Sequence, residues 1–410
     1  RIRFWAADVP STGYKSYALR REHAHNAADP TITAPVLENT YYRVQLDPKT
    51  GAVQSIFDKE LNRELIDSSS LYGFNQYVYV TGADKEPNRL TRYAEVLPVP
   101  RMETHEANNG RLVSVTRTAF GMVARSSSSA VNTPSIETEI VLPDATKTIL
   151  FTNRVHKNKV YTKEGVYFAF PFASKHSEFS YETQNGYINP VRDLLPGAGE
   201  EWFSVQHWIA IRDKDGDATA AIVPVDAPLA ALGDIVRGTF PTEFGKRRGI
   251  VFSYAMNNYW TTNYVAGQGG DFVFRYVLTS GKNLTPGGLS RLGWGAMTGL
   301  EVDEIFPQDR VDDATRLPLD SQSSFLEVDR TNIVLTAWKE AEDKRGSILR
   351  FTELNGESSK VKVTTPTVAL QSAWICNAVE ECKDSLPVSQ HFFTFDIKPF
   401  QIVTVRIQAK

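Results

Sequence analysis

Strand-type patterning runs along almost the whole chain and constrains its fold more than any other feature. Tyr42, Val44 and Leu46 alternate with Arg43 and Gln45; Asp47-Pro48-Lys49-Thr50-Gly51 then turns the chain, and alternation resumes over 53–57. Apolar residues at period two on either side of a Gly-closed turn predict a β-hairpin with one buried face. The polar stretch 58–65 is a second turn, and further strands are predicted over 71–80, 113–118, 136–142 and 148–155. Residues 165–172 are continuously apolar, as in a strand buried on both faces. Pro171 marks its end, because proline cannot donate to a central ladder. Residues 207–212 and 218–223 flank Asp213-Lys214-Asp215-Gly216-Asp217. That acidic run is like the start of a calcium loop but lacks helical flanks and a distal Glu, so it is read as a hairpin turn. One short helix is expected over 225–232. Two stretches are less regular: 281–299, Gly-rich with Pro286, and 303–324, polar with Pro307 and Pro318, the best linker candidate. Strand patterning then resumes over 333–338, 347–351, 359–363, 392–397 and 401–407, about the size of a small β-sandwich. No repeat with a period of about 20 to 50 residues is present.

At 410 residues, and roughly 150 per domain, two or three domains are expected. Aromatics reach 11% while Met numbers only 4, which favours β-structure. No apolar run approaches ~18 residues, so no membrane span is expected. A formal net charge of -3 gives no pull toward nucleic acid or an anionic membrane surface. Two cysteines, Cys376 and Cys382, cannot make a disulfide framework; one bridge across a turn and two buried thiols are both open. The chain begins Arg-Ile-Arg-Phe-Trp, without a start Met or an apolar leader. It is read as a piece of a longer protein, and the compartment, cytoplasmic or exported, stays open.

Familiar catalytic constellations are missing. His23 and His25 form a weak metal pair better read as solvated linker, and the spacing of Cys376 and Cys382 is not that of a zinc site. There is no nucleophile elbow, phosphate loop or dinucleotide fingerprint; Gly267-Gln268-Gly269-Gly270 is glycine-rich, but no helix is expected after it. The adjacent carboxylates Glu200-Glu201 and Glu380-Glu381 would point to opposite faces of a strand and are not taken as a catalytic pair. No residue is assigned a catalytic or metal-binding role. The most unusual stretch is 254–264, where Asn257, Asn258 and Asn263 alternate with aromatic residues including Tyr259 and Trp260. Sugars offer apolar C–H faces and hydroxyls, which suit stacked rings beside amides. A weaker case is 184–192, with Asn185, Tyr187 and Arg192, where Arg192 could fork onto hydroxyls or carboxylates. These eight residues are the candidate sugar-binding set; the competing readings are a core-packed aromatic loop and a structural Asn-Gly turn. Asn283-Leu284-Thr285 fits a glycosylation sequon.

Several stretches together carry a family resemblance. Val36-Leu37-Glu38-Asn39-Thr40-Tyr41-Tyr42-Arg43-Val44, then Asp47-Pro48-Lys49-Thr50-Gly51 and Ser55-Ile56-Phe57-Asp58-Lys59, resemble a segment of glycoside hydrolase family 38, the α-mannosidases. Asp8-Val9-Pro10-Ser11-Thr12-Gly13-Tyr14, Phe168-Ala169-Phe170-Pro171-Phe172, the 257–264 loop, Phe274-Arg275-Tyr276, Trp374, Cys376-Asn377 and 399–404 follow in the family's order. The resemblance implies a mainly β fold: a galactose-mutarotase-like supersandwich followed by a small terminal β-sandwich. The expected divisions are a leading strand and linker at 1–30, the supersandwich at 31–300, a linker at 301–324 and the terminal sandwich at 325–410. It also implies that this chain is the C-terminal β-region of a retaining glycosidase. The nucleophilic Asp, the acid/base carboxylate and the ligands of a divalent metal, zinc, would belong to an N-terminal half absent here. The implied partners are that catalytic domain and a mannose-containing carbohydrate, with no nucleic acid and no membrane; a homo-oligomer is compatible with the chain. The alternatives are a free-standing carbohydrate-binding protein, a complete supersandwich-fold sugar lyase, epimerase or hydrolase, and a purely structural assembly module.

Overall fold

Ile149, Phe151, Asn153, Val155 and Lys157 are buried while Arg154 and His156 between them are exposed. This period of two is the organising rule of the larger unit. The structure, a computed structural model, describes residues 4–18, 31–32, 34–82, 102–174, 176–213, 218–236, 243–258, 267–305 and 320–410. Strand Ile149–Lys157 lies between Thr133–Pro143 and Gly270–Gly281 in a ten-stranded sheet. The sheet continues on one side through Gly121–Ala130, Asn108–Thr118 and Thr31–Ile32. On the other it runs through Ala218–Pro224, Ile209–Asp213, Ser177–Thr183 and Gly186–Ile188. Its outer row pairs polar side chains across strands: Arg125 with Glu139, and His156 with Asp271, each at 2.7 Å. Such a face can stand in water while the other packs on a core.

The inner face packs against a six-stranded sheet ordered Phe203–Ser204, Leu229–Leu232, Ile250–Asn257, Glu164–Pro171, Gln76–Gly82 and Met102–Glu106. Phe74, Phe151, Phe168, Phe170 and Tyr276 meet between the sheets, with Phe74 edge-on to Phe170 at 5.3 Å. A second cluster, including Val78, Tyr167, Phe252 and Tyr254, covers the other face of the six-stranded sheet. Strand Glu164–Pro171 is therefore buried at every position, and its apolar run ends at Pro171 as expected. The meander Val36–Glu38, Tyr42–Leu46, Val53–Asp58 and Arg63–Glu64 contains the predicted hairpin, with Tyr42 opposite Asp58. Strands Ile209–Asp213 and Ala218–Pro224 pair as a hairpin; residues 214–217 of its turn lie outside the described residues.

Two local expectations are corrected, and one strand appears that the sequence did not signal. Residues 229–232 form a strand rather than part of a helix. Their helix-favouring composition yields to pairing with both Phe203–Ser204 and Ile250–Asn257. Within 281–299, Pro286–Thr298 is an α-helix. Thr285 accepts a bond from the Gly288 N–H and Pro286 sits in the first turn, the usual opening of a helix. Gly121–Ala130, with its run Ser126–Ser129, is a strand between two partners. Gly121 starts it at φ 149°, and a Cβ there would lie 2.2 Å from the Leu142 carbonyl oxygen.

The chain divides into two compact units: Ala27–Thr183 with Tyr187–Leu284, and Arg1–Asn26 with Gln184–Gly186 and Thr285–Lys410. In the second unit Gly13–Lys15 pairs with Gln322–Ser324. A five-stranded sheet (Ile333–Glu340, Ser347–Glu353, Ile402–Ala409, Leu370–Cys376, Cys382–Ser385) packs on a four-stranded one (Glu327–Val328, Ser359–Thr364, Phe392–Ile397, Val388–Ser389) around Phe351, Phe393 and Phe395. The helix joins this unit: Arg291 donates to the carbonyls of Arg330, Thr331 and Ile333. Cys376 and Cys382 are register partners and form a disulfide, which resolves the open alternative. The chain is thus mainly β, a supersandwich followed by a small β-sandwich. The described parts of the expected linker are 301–305 and 320–324.

Candidate functional site

The aromatic–Asn stretch starts on Ile250–Asn257, an interior strand of the six-stranded sheet. Tyr254 is buried and stacks on Tyr167 at 4.2 Å and 15°, with Trp202 edge-on to it at 6.5 Å. Asn257 ends the strand opposite Gly165. Asn258, buried just beyond, ties three backbones together: its N–H donates to the Glu164 carbonyl, and its amide nitrogen reaches the carbonyls of Val160 and Thr162 at 3.3 Å. Its Oδ1 is buried and accepts no hydrogen bond from a described residue. Tyr259, Trp260 and Asn263 lie outside the described residues, as do His23 and His25.

Beside Asn258 sits a buried charge cluster. Lys157 Nζ donates to both oxygens of Glu164, at 2.8 and 2.7 Å, and the two side chains are 1% and 3% exposed. Tyr79 donates its hydroxyl proton to Glu164 at 2.5 Å and accepts from the Asn132 amide at 2.9 Å. Burial, together with the Glu164 carboxylate, pushes the Tyr79 phenol well above its ordinary range. Both Glu164 oxygens are already occupied, so this cluster holds the two sheets in register rather than offering a free base. The sequence reading missed it. A Lys at an inward position of an alternating strand was its one available signal.

The second candidate stretch lies on the other sheet. Asn185 is exposed in the turn between Ser177–Thr183 and Gly186–Ile188, at φ 64°, a left-handed conformation that Asn tolerates. Tyr187 is half-buried, its ring 6.2 Å from Trp208, and Arg192 is exposed. Nearby, His207 and Glu182 form a buried pair at 2.7 Å that sequence spacing did not reveal. Of the adjacent carboxylates, Glu200 is buried 3.7 Å from Arg247, and Glu380 is held by Lys339 and the Glu342 N–H.

A cleft of about 550 Å³ opens in the larger unit. Tyr72, Asp234, Lys246 and Arg248 line it with Ser69, as does Leu71, which is 84% exposed. Arg247, also in the wall, is committed inward: it donates to the carbonyls of Phe244, Glu200 and Leu232 and lies 4.1 Å over the Phe244 ring. Gly233 makes room for it, since a Cβ there would meet the Arg247 side chain at 2.2 Å. Burial pushes the Tyr72 phenol up, as do the neighbouring carboxylates Asp234 and Glu106. A hydroxyl-bearing ligand would find donors, an acceptor and an apolar ring in this cleft. Among the described residues no group of three or more His, Cys, Asp and Glu could hold a metal ion, so they do not fit the implied zinc.

Two family models match the chain. The C-terminal domain of glycosyl hydrolases family 38 matches residues 37–223, and the family's C-terminal β-sandwich domain matches 332–405. Among solved structures, an α-mannosidase from Enterococcus faecalis V583 aligns at TM-score 0.59 and 12% identity, covering 92% of this chain and 42% of its own. A family 38 glycosyl hydrolase protein from Enterococcus faecalis aligns at 0.59 and 12%, covering 96% and 46%. At that identity the likeness is one of fold, and the chain spans less than half the length of either. No curated protein matches the sequence.

Proposed function

We propose that this chain, which belongs to glycosyl hydrolases family 38 as a C-terminal region, walls and supports the carbohydrate cleft of a retaining α-mannosidase-like glycosidase. The observation that carries this reading is the pairing of two C-terminal family matches with an alignment covering only 42% of an α-mannosidase chain. In the whole protein, a carboxylate of an N-terminal catalytic half attacks the anomeric carbon of a mannoside. A second carboxyl group there protonates the leaving oxygen. Zinc, if that half holds it as the resemblance implies, would supply contacts to sugar hydroxyls. This chain's part is to dock that half and present donors and rings to the sugar, with Asn257, Asn258, Tyr259, Trp260, Asn263, Asn185, Tyr187 and Arg192 as the candidate contacts.

The test is hydrolysis of an aryl α-mannoside by the purified chain, with and without divalent metal, and then with the catalytic half supplied. No turnover alone and turnover on recombination is the expected result. Metal-dependent turnover by the chain alone would overturn the proposal.

A further inference from the structure

We infer that the cleft lined by Ser69, Leu71, Tyr72, Asp234, Lys246 and Arg248 binds an anionic sugar, one that carries a carboxylate or phosphate group. The inference rests on the carbohydrate reading above and adds to it a second sugar site, whose lining includes none of the eight candidate contacts. Of three consecutive cations, the middle one is consumed inside the fold: Arg247 spends its donors on the carbonyls of Phe244, Glu200 and Leu232, and its charge faces buried Glu200. Lys246 and Arg248 flank it, are exposed, and pair with no described carboxylate. Fixing Arg247 therefore aims two uncommitted cations at one cleft. Lone cations of this kind favour an anion, and Arg adds a planar fork suited to carboxylate or phosphate. The remaining lining suits the rest of a sugar. Exposed Asp234 can accept from a hydroxyl, Ser69 can accept as well, and the half-buried Tyr72 ring, set edge-on to Phe252 at 5.1 Å, offers an apolar face with Leu71 beside it. A volume of about 550 Å³ accommodates one to a few sugar rings.

Titration calorimetry on the full chain decides it, with methyl α-mannoside, mannuronate, mannose 6-phosphate and inorganic phosphate as probes. One or both anionic sugars should bind more tightly than methyl α-mannoside by roughly 10- to 100-fold, the range for charge-assisted hydrogen bonds. The advantage should shrink with added salt and disappear in Lys246→Ala/Arg248→Ala, whose melting temperature should match the parent's because both side chains are exposed. Which anionic sugar binds identifies the group recognised. Equal binding of neutral and anionic sugars, or retained binding in the double variant, overturns the inference. Inorganic phosphate binding as tightly as the sugar phosphate overturns its sugar component. Failure here leaves turnover on recombination with the catalytic half unaffected, so the two readings fail separately.

Discussion

Replacing Lys157 with Met tests how the two sheets of the larger unit are held together. Lys157 comes from the ten-stranded sheet and Glu164 from the six-stranded one, and their side chains are 1% and 3% exposed. Lys157→Met keeps the volume but leaves a carboxylate in the core with Tyr79 as its remaining side-chain donor. Breaking a buried pair from one side costs about 3–5 kcal/mol, because the surviving charge is uncompensated. Removing both charges, as in Lys157→Met/Glu164→Gln, should cost less than the two single changes summed, by roughly 1–3 kcal/mol. Urea unfolding of the full chain, with hydrogen exchange read on peptides spanning 149–171, measures this in the affected unit. Exchange in the terminal sandwich should stay unchanged. A single-variant cost below about 1 kcal/mol, or strict additivity in the double variant, would refute the reasoning.

Two further outcomes concern the terminal sandwich. Burial pushes the Glu353 carboxyl up, but the Phe400 N–H, the Asn332 amide and the N–H groups of Asn355 and Gly356 outweigh it and hold the carboxyl below its ordinary range. Its contribution should be fully present above the unfolded value of 4.5 and fade as pH falls from there through the lower folded value. Glu353→Gln should flatten that acid limb and cost about 1.5–3 kcal/mol at neutral pH, read by denaturant midpoints. Reducing the Cys376–Cys382 disulfide should cost about 2 kcal/mol, as expected for so short a loop. The turn should survive, since Asn377 binds the N–H groups of Val379 and Glu381, while Arg406 and Arg350 hold the Glu380 and Ala378 carbonyls. Melting curves with and without reductant, followed by exchange across 376–382, check both statements.

What the sequence made legible was whatever depends on neighbours along the chain. The hairpin around Asp47 and Gly51 and the buried strand ending at Pro171 carry their own period and punctuation, and both form where expected. Elements whose conformation comes from distant partners were obscure. The Ser126–Ser129 run has loop composition, yet it is extended because it has a strand on each side. Residues 229–232 have helix-favouring composition and a place already set between two strands. The helix from Pro286 was masked by its glycines, although Thr285-Pro286 is a readable start signal. The candidate site divides in the same way. Asn257 and Asn258 stand out as a local run, whereas Tyr72, Asp234 and Arg248 share a cleft only because strands far apart in sequence become adjacent. The Lys157–Glu164 pair, seven residues apart, is invisible to any rule of spacing because its members belong to different sheets.

The position of strand Gly270–Gly281 has a consequence for cutting the protein into pieces. That strand lies between Ile149–Lys157 and Ala218–Pro224, and Ile250–Asn257 likewise completes the pairing of Glu164–Pro171. A fragment ending at residue 223, where the first family match ends, would lose both. The ten-stranded sheet would fall into two halves with raw borders, and the most apolar strand of the chain would become a boundary with an unpaired backbone. Exposed borders of that kind invite pairing with other molecules. Such a fragment should aggregate, while one extended to Leu284 should stay dispersed. The stretch that the family model matches is shorter than the compact unit that holds its pairing partners.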